Sequence, residues 1–152
     1  MAAHSADLRP LSATLVGTWE LLTREDRTSA GERRVEPTLG SDPVALLIYD
    51  GAGHFAAQFM KRDRDEAVAA AVPGSNNTQA QGGYDAYFGS YSVDDVRSTV
   101  TQTLHGAMSP GNVGQVLRRE MQVDGDELTI RLETTSFDGE PVIRTLKWKR
   151  VG

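Results

Sequence analysis

The sequence predicts an all-β protein: an eight-stranded antiparallel, up-and-down β-barrel carrying a short helix-and-loop lid. Three observations point there. Eight apolar or alternating runs of strand length follow one another, most of them joined by short turns rich in Gly, Asp and Pro. There is no β-α-β alternation, as a parallel sheet requires, and no repeat period, as a propeller or solenoid requires. The first strand opens with Gly17-Thr18-Trp19 and the last closes with Lys147-Trp148-Lys149-Arg150. When such terminal strands meet, a sheet becomes a barrel. A glycine lets backbone pass close to a barrel end, and Trp19, on the same side two residues later, is large enough to plug it. The alternatives are a β-sandwich and, for Trp19, the role of an ordinary core aromatic.

Residues 1–14 read as a leader segment, with a helical turn near 10–13, and residues 15–150 as one domain. The first strand covers about 17–27. A turn at 28–31 follows, and 32–35 extend the sheet briefly. Pro37, Gly40 and Pro43 punctuate a loop. Strands follow at 44–49 and 54–61, joined by the hairpin signal Asp50-Gly51-Ala52-Gly53. Residues 63–72 are charged and then Ala-rich, which predicts a short helix stopped by Pro73-Gly74. Residues 75–83 are polar and Gly-rich, hence a loop. This insertion at 62–83 is long for a meander and is read as a lid. Strands then run at 86–93, 98–105, 115–123, 127–134 and 142–150. Between them lie Asp94-Asp95, the loop Ser109-Pro110-Gly111-Asn112 and the tight turn Asp124-Gly125.

Composition narrows the chemistry. At 152 residues the chain suits one domain with a sizeable core. The absence of cysteine excludes disulfides, thiolate zinc sites and thiol nucleophiles. A net charge of −5 with both signs interspersed points to no nucleic-acid partner and no anionic membrane surface. No apolar run approaches a membrane span and no signal peptide is evident, so the expected location is cytoplasmic. The histidines His4, His54 and His105 lack metal-ligand spacing, and no metal site or cofactor is expected. There is no Gly-x-Ser-x-Gly elbow, phosphate loop or dinucleotide fingerprint.

Strand parity sorts the side chains. Leu128, Ile130 and Leu132 face inward. Leu117, Arg119, Met121 and Val123 share a face, as do Val142, Arg144, Leu146 and Trp148. Val100, Gln102 and Leu104 group together, and so do Tyr87, Gly89, Tyr91 and Val93. Arg119 and Arg144 thus lie on apolar faces, where each guanidinium needs a carboxylate, a ligand group or a route to the rim. Strand 54–61 has two readings: Phe55, Ala57 and Phe59 inward, or His54, Ala56, Gln58 and Met60 inward. The small residues Ala56, Ala57, Gly89, Ser90 and Ser92, with only ten aromatics in the chain, predict a hollow rather than a filled interior.

Gly17-Thr18-Trp19-Glu20-Leu21, Tyr49-Asp50-x-x-Gly53-His54-x-x-Ala57-Gln58, and Tyr87-Phe88-Gly89-x-Tyr91-x-Val93-Asp94 together resemble the bacterial and fungal lipocalin-like domain family. Arg118-Arg119, Asp124-Gly125-Asp126-x-Leu128 and Leu146-x-Trp148-x-Arg150 extend the resemblance over about 15–150. It implies a calyx with an internal pocket, Trp19 closing the floor and Arg150 covering it. Lipocalin-like barrels also occur in natural-product pathways, where some resemble cyclases, including pericyclic ones.

Two functions follow. One is binding of a small, mainly hydrophobic ligand with a carbonyl, enol or carboxylate end. Arg119 and Arg144 would anchor that end, Tyr87, Tyr91 and Gln102 the wall, and Trp19 the floor, with His54 and Gln58 added if their face is inward. The other is a cofactor-independent cyclase or isomerase that folds a polyketide-like substrate in the same pocket, largely by positioning it. A filled barrel acting as an interaction module is the third reading. An uncovered sheet edge would invite a homodimer.

Overall fold

The structure, a computed structural model, describes residues 9–64 and 76–152. Most of the helix expected over 63–72 lies outside the described residues, as do residues 1–8 of the leader. The remainder is a closed antiparallel barrel of eight long strands plus one short extra strand. In chain order these are β1 (Gly17–Thr28), β2 (Arg33–Arg34), β3 (Val44–Tyr49), β4 (His54–Met60), β5 (Tyr84–Asp94), β6 (Thr99–Ala107), β7 (Val116–Asp124), β8 (Glu127–Thr135) and β9 (Pro141–Arg150). The two-residue β2 is the brief extension expected at 32–35, paired on the upper end of β1. A helical turn, α1 (Leu11–Thr14), precedes the barrel.

Closure runs through β1. It pairs with β3 from Gly17↔Tyr49 to Glu20↔Leu46, and with β9 from Trp19↔Arg150 to Thr28↔Val142. The sandwich alternative falls with that seam. One irregularity matters: between Leu21 and Thr23 the register with β9 shifts. Such a bulge inserts one residue and reverses the alternation beyond it. Above the bulge Arg24, Asp26 and Thr28 therefore turn inward, while Leu22 sits exposed.

The floor is built as the terminal motifs suggest. Trp19 is fully buried and its indole N–H donates to the Leu15 carbonyl at 3.0 Å. The Arg150 guanidinium carbon lies 4.3 Å from the Trp19 ring centroid, and its two terminal nitrogens donate to Val16 O and Thr14 O. Gly17, at φ +148°, admits this crossing: a Cβ there would lie 2.6 Å from Arg150 Nη1 and 2.9 Å from Gly152 O. Above the floor, Tyr49, Val100, Met121 and Leu128 fill the lower barrel, while the buried Leu104 and Leu117 lie further up β6 and β7. On β4 the burial alternates so that Phe55, Ala57 and Phe59 face in.

The ladder is interrupted beside the upper part of β7, as it is between β1 and β3 above Glu20↔Leu46. β7 pairs with β6 along 116–120 but with β8 only from Glu120↔Arg131 downward. The upper half of β7 thus has one open edge, and Asn76 occupies it. The Arg118 N–H donates to Asn76 Oδ1 at 2.7 Å, and Asn76 Nδ2 donates back to Arg118 O at 3.0 Å. The side-chain amide stands in for one residue pair of a β-ladder. Among the described residues no helix is long and apolar enough to cross a membrane.

Candidate functional site

The upper half of the barrel encloses a cavity of about 80 Å³. A buried water needs roughly 10–15 Å³ measured this way, so the space suits several waters or one slender molecule. Its apolar wall comes from inward positions at mid-height: Leu47 on β3, Phe59 on β4, Ile130 and Leu132 on β8, and Leu146 and Trp148 on β9. Residues 36–39, 77–80 and 135–137 cover the top. Glu36 organises the first cover by accepting from the Thr38 and Leu39 N–H groups at 2.7 and 3.3 Å. Ser109 and Asn112, both buried, pin the second through the backbone of Gln79.

The polar part of the wall is dense. Asp26 and Arg144 form a bidentate pair at 2.7 and 2.9 Å, both nearly fully buried. Arg24 reaches Glu36 at 3.5 Å; burial, with repulsion from Arg144, lowers its pKa to about 10. Arg119 has no such partner: among the described residues its guanidinium meets no carboxylate. Its Nη1 donates to Asn76 O at 2.8 Å and Arg118 O at 3.1 Å, and burial lowers its pKa. Tyr87 is buried beside it, with its phenol pushed up to about 12, chiefly by burial and then by Asp85. Gln102 donates to the Tyr49 hydroxyl at 2.6 Å. Asp85 accepts from the Thr78 hydroxyl through Oδ2. Burial raises its carboxyl to about 6, against the pull of Thr78, Arg24 and the nearby Ala86 amide.

Of the residues singled out from sequence, Tyr87, Gln102, Arg119 and Arg144 meet at this cavity. The other four lie elsewhere: Trp19 keeps its expected place at the floor, and the roles of His54, Gln58 and Tyr91 are corrected. Trp19 sits below the cavity as a plug. His54 and Gln58 lie on the outer face of β4, because their neighbour Ala57 stands between the inward Leu47 and Tyr87. His54 instead pairs with Asp50 at 3.2 Å, and Gln58 with the Tyr84 hydroxyl. Tyr91 packs edge-on against Tyr49 at 4.8 Å and donates to Asp50 O near the lower rim. Arg144 is held by Asp26, so it is first of all half of an ion pair. Sequence reasoning missed Arg24, Glu36, Asp85 and Trp148 as site residues. Among the described residues no cluster of three or more His, Asp or Glu side chains is placed to hold a metal.

A closed antiparallel barrel with a plugged floor and a hollow upper half is a calyx. The chain belongs to the lipocalin-like domain family, which it matches over residues 16–151. No curated protein matches the chain. The family's fold suggests binding of a small molecule.

Proposed function

We propose that the protein binds a small, mainly apolar molecule inside the barrel, with a carbonyl, enol or carboxylate end turned to Arg119. The observation that carries this is the state of that guanidinium. It is buried on the cavity wall, with backbone carbonyls as its described partners. A buried cation without a counter-charge is costly, and a ligand oxygen would complete its solvation. Phe59, Leu47, Ile130 and Leu146 supply the apolar surround that small-molecule sites use.

The test is direct. Native mass spectrometry of freshly purified protein should show a retained small molecule. Arg119→Ala should lower affinity for a ketone-bearing probe by roughly ten- to a hundredfold, as for a lost charged hydrogen bond. Unchanged affinity would remove the anchor.

One observation favours a second reading, a cyclase or isomerase. Asp85, with a carboxyl near 6, shares one wall with the Tyr87 phenol, which burial keeps protonated as a donor, and a carboxyl poised near neutral pH serves proton transfer. Conversion of a linear polyketide-like precursor at substoichiometric protein supports catalysis; one-to-one retention without conversion supports binding.

A further inference from the structure

Two buried polar atoms on the cavity wall have no hydrogen-bond partner among the described residues: Asp85 Oδ1 and Trp148 Nε1. Asp85 is 3 % exposed and Trp148 1 %. Buried polar atoms in folded proteins are nearly always satisfied, so each such orphan needs an occupant. They are of opposite kind. The indole nitrogen only donates, whereas the carboxylate oxygen accepts. Both flank one ring: Asp85 is the cross-strand partner of Phe59, and Trp148 meets Phe59 edge-on at 5.7 Å.

Resting on the binding function proposed above, we infer that the ligand is an uncharged hydroxy-carbonyl compound. Its hydroxyl donates to Asp85, its carbonyl, with two lone pairs, accepts from both Trp148 and Arg119, and its flat apolar body lies against Phe59. Charge balance supports the uncharged form. The polar wall holds three guanidinium groups, Arg24, Arg119 and Arg144, and three carboxyl groups, Asp26, Glu36 and Asp85. A fatty acid would bring a further negative charge towards Asp85 and leave its Oδ1 without a donor. A hydroxyl and a carbonyl leave nothing unsatisfied, and sites built for such groups reject analogues that lack them.

Four probes of nearly equal shape test this by calorimetry at pH 7.5: 4-hydroxyacetophenone, acetophenone, 4-ethylphenol and ethylbenzene. The first should bind tightest. Deleting its carbonyl should cost about three- to tenfold, and deleting its hydroxyl about tenfold or more, because that bond involves a charge. Asp85→Asn should shrink the hydroxyl-dependent gain and leave the carbonyl-dependent one. Trp148→Phe should do the converse, and should it fail to fold, the probe series on the unaltered protein still decides. Equal affinities for all four probes would overturn the inference while leaving an apolar binding cavity intact. Failure of all four to bind would overturn the binding function and the inference with it.

Discussion

The two halves of the barrel solve opposite problems. Below the level of Gln102 the interior is filled: Trp19, Tyr49, Val100, Met121 and Leu128 are all essentially inaccessible to solvent. Above it the same strands carry buried charge around empty space. Burial of apolar surface stabilises the lower half, whereas desolvated arginines and carboxylates tax the upper half. A barrel can carry so polar a hollow because its floor holds the strands in register beneath it.

That contrast can be broken from either side. The largest effect is expected at the floor. Trp19→Ala removes the plug and should cost about 3–5 kcal/mol in urea unfolding; a loss under 1 kcal/mol would mean that α1 alone closes the end. Nearly as large is Asp26→Ala, which strands Arg144 as a buried unpaired cation and should cost about 3–5 kcal/mol, whereas replacing both partners with apolar residues should cost far less.

Asp85→Asn should act in the other direction. Its folded carboxyl titrates about 6 against an ordinary 3.8, so the folded protein holds this proton more tightly than the unfolded chain does. The group's contribution is therefore most favourable below about pH 4 and is lost as pH rises through 6. Two pH units correspond to about 3 kcal/mol. The Asn variant should melt higher than the parent at pH 7.5, with the difference fading towards pH 4. The smallest effect belongs to Arg150→Met, which removes the stacking on Trp19 and should cost about 1–2 kcal/mol in the same unfolding experiment.

Much of this contrast was legible in the sequence. The end motifs, both tight hairpins and the inward sets of β6 to β9 follow from alternation alone. Arg24 was not legible, because parity counted from Trp19 is reversed by the bulge near Leu22, and a bulge leaves no local signature there. Asp85 is not legible because an acidic residue beside Gly82-Gly83-Tyr84 reads as loop, and β5 begins two residues before the expected residue 86. His54 and Gln58 show the limit of parity. Strand 54–61 has an acceptable pattern on both faces, and only its partners, Leu47 on one side and Tyr87 on the other, choose between them. Glu36 reaches the cavity from a loop, where no period exists to count.

The patch at Asn76 has a consequence for how a guest gets in. Where the ladders are continuous, as between β8 and β9, strands part only by unzipping successive rungs. Beside upper β7 the two bonds that seal the wall belong to one amide, and turning that side chain breaks both together. The same residue's carbonyl steadies Arg119, so a doorway there would open next to the guanidinium proposed above as the ligand's anchor.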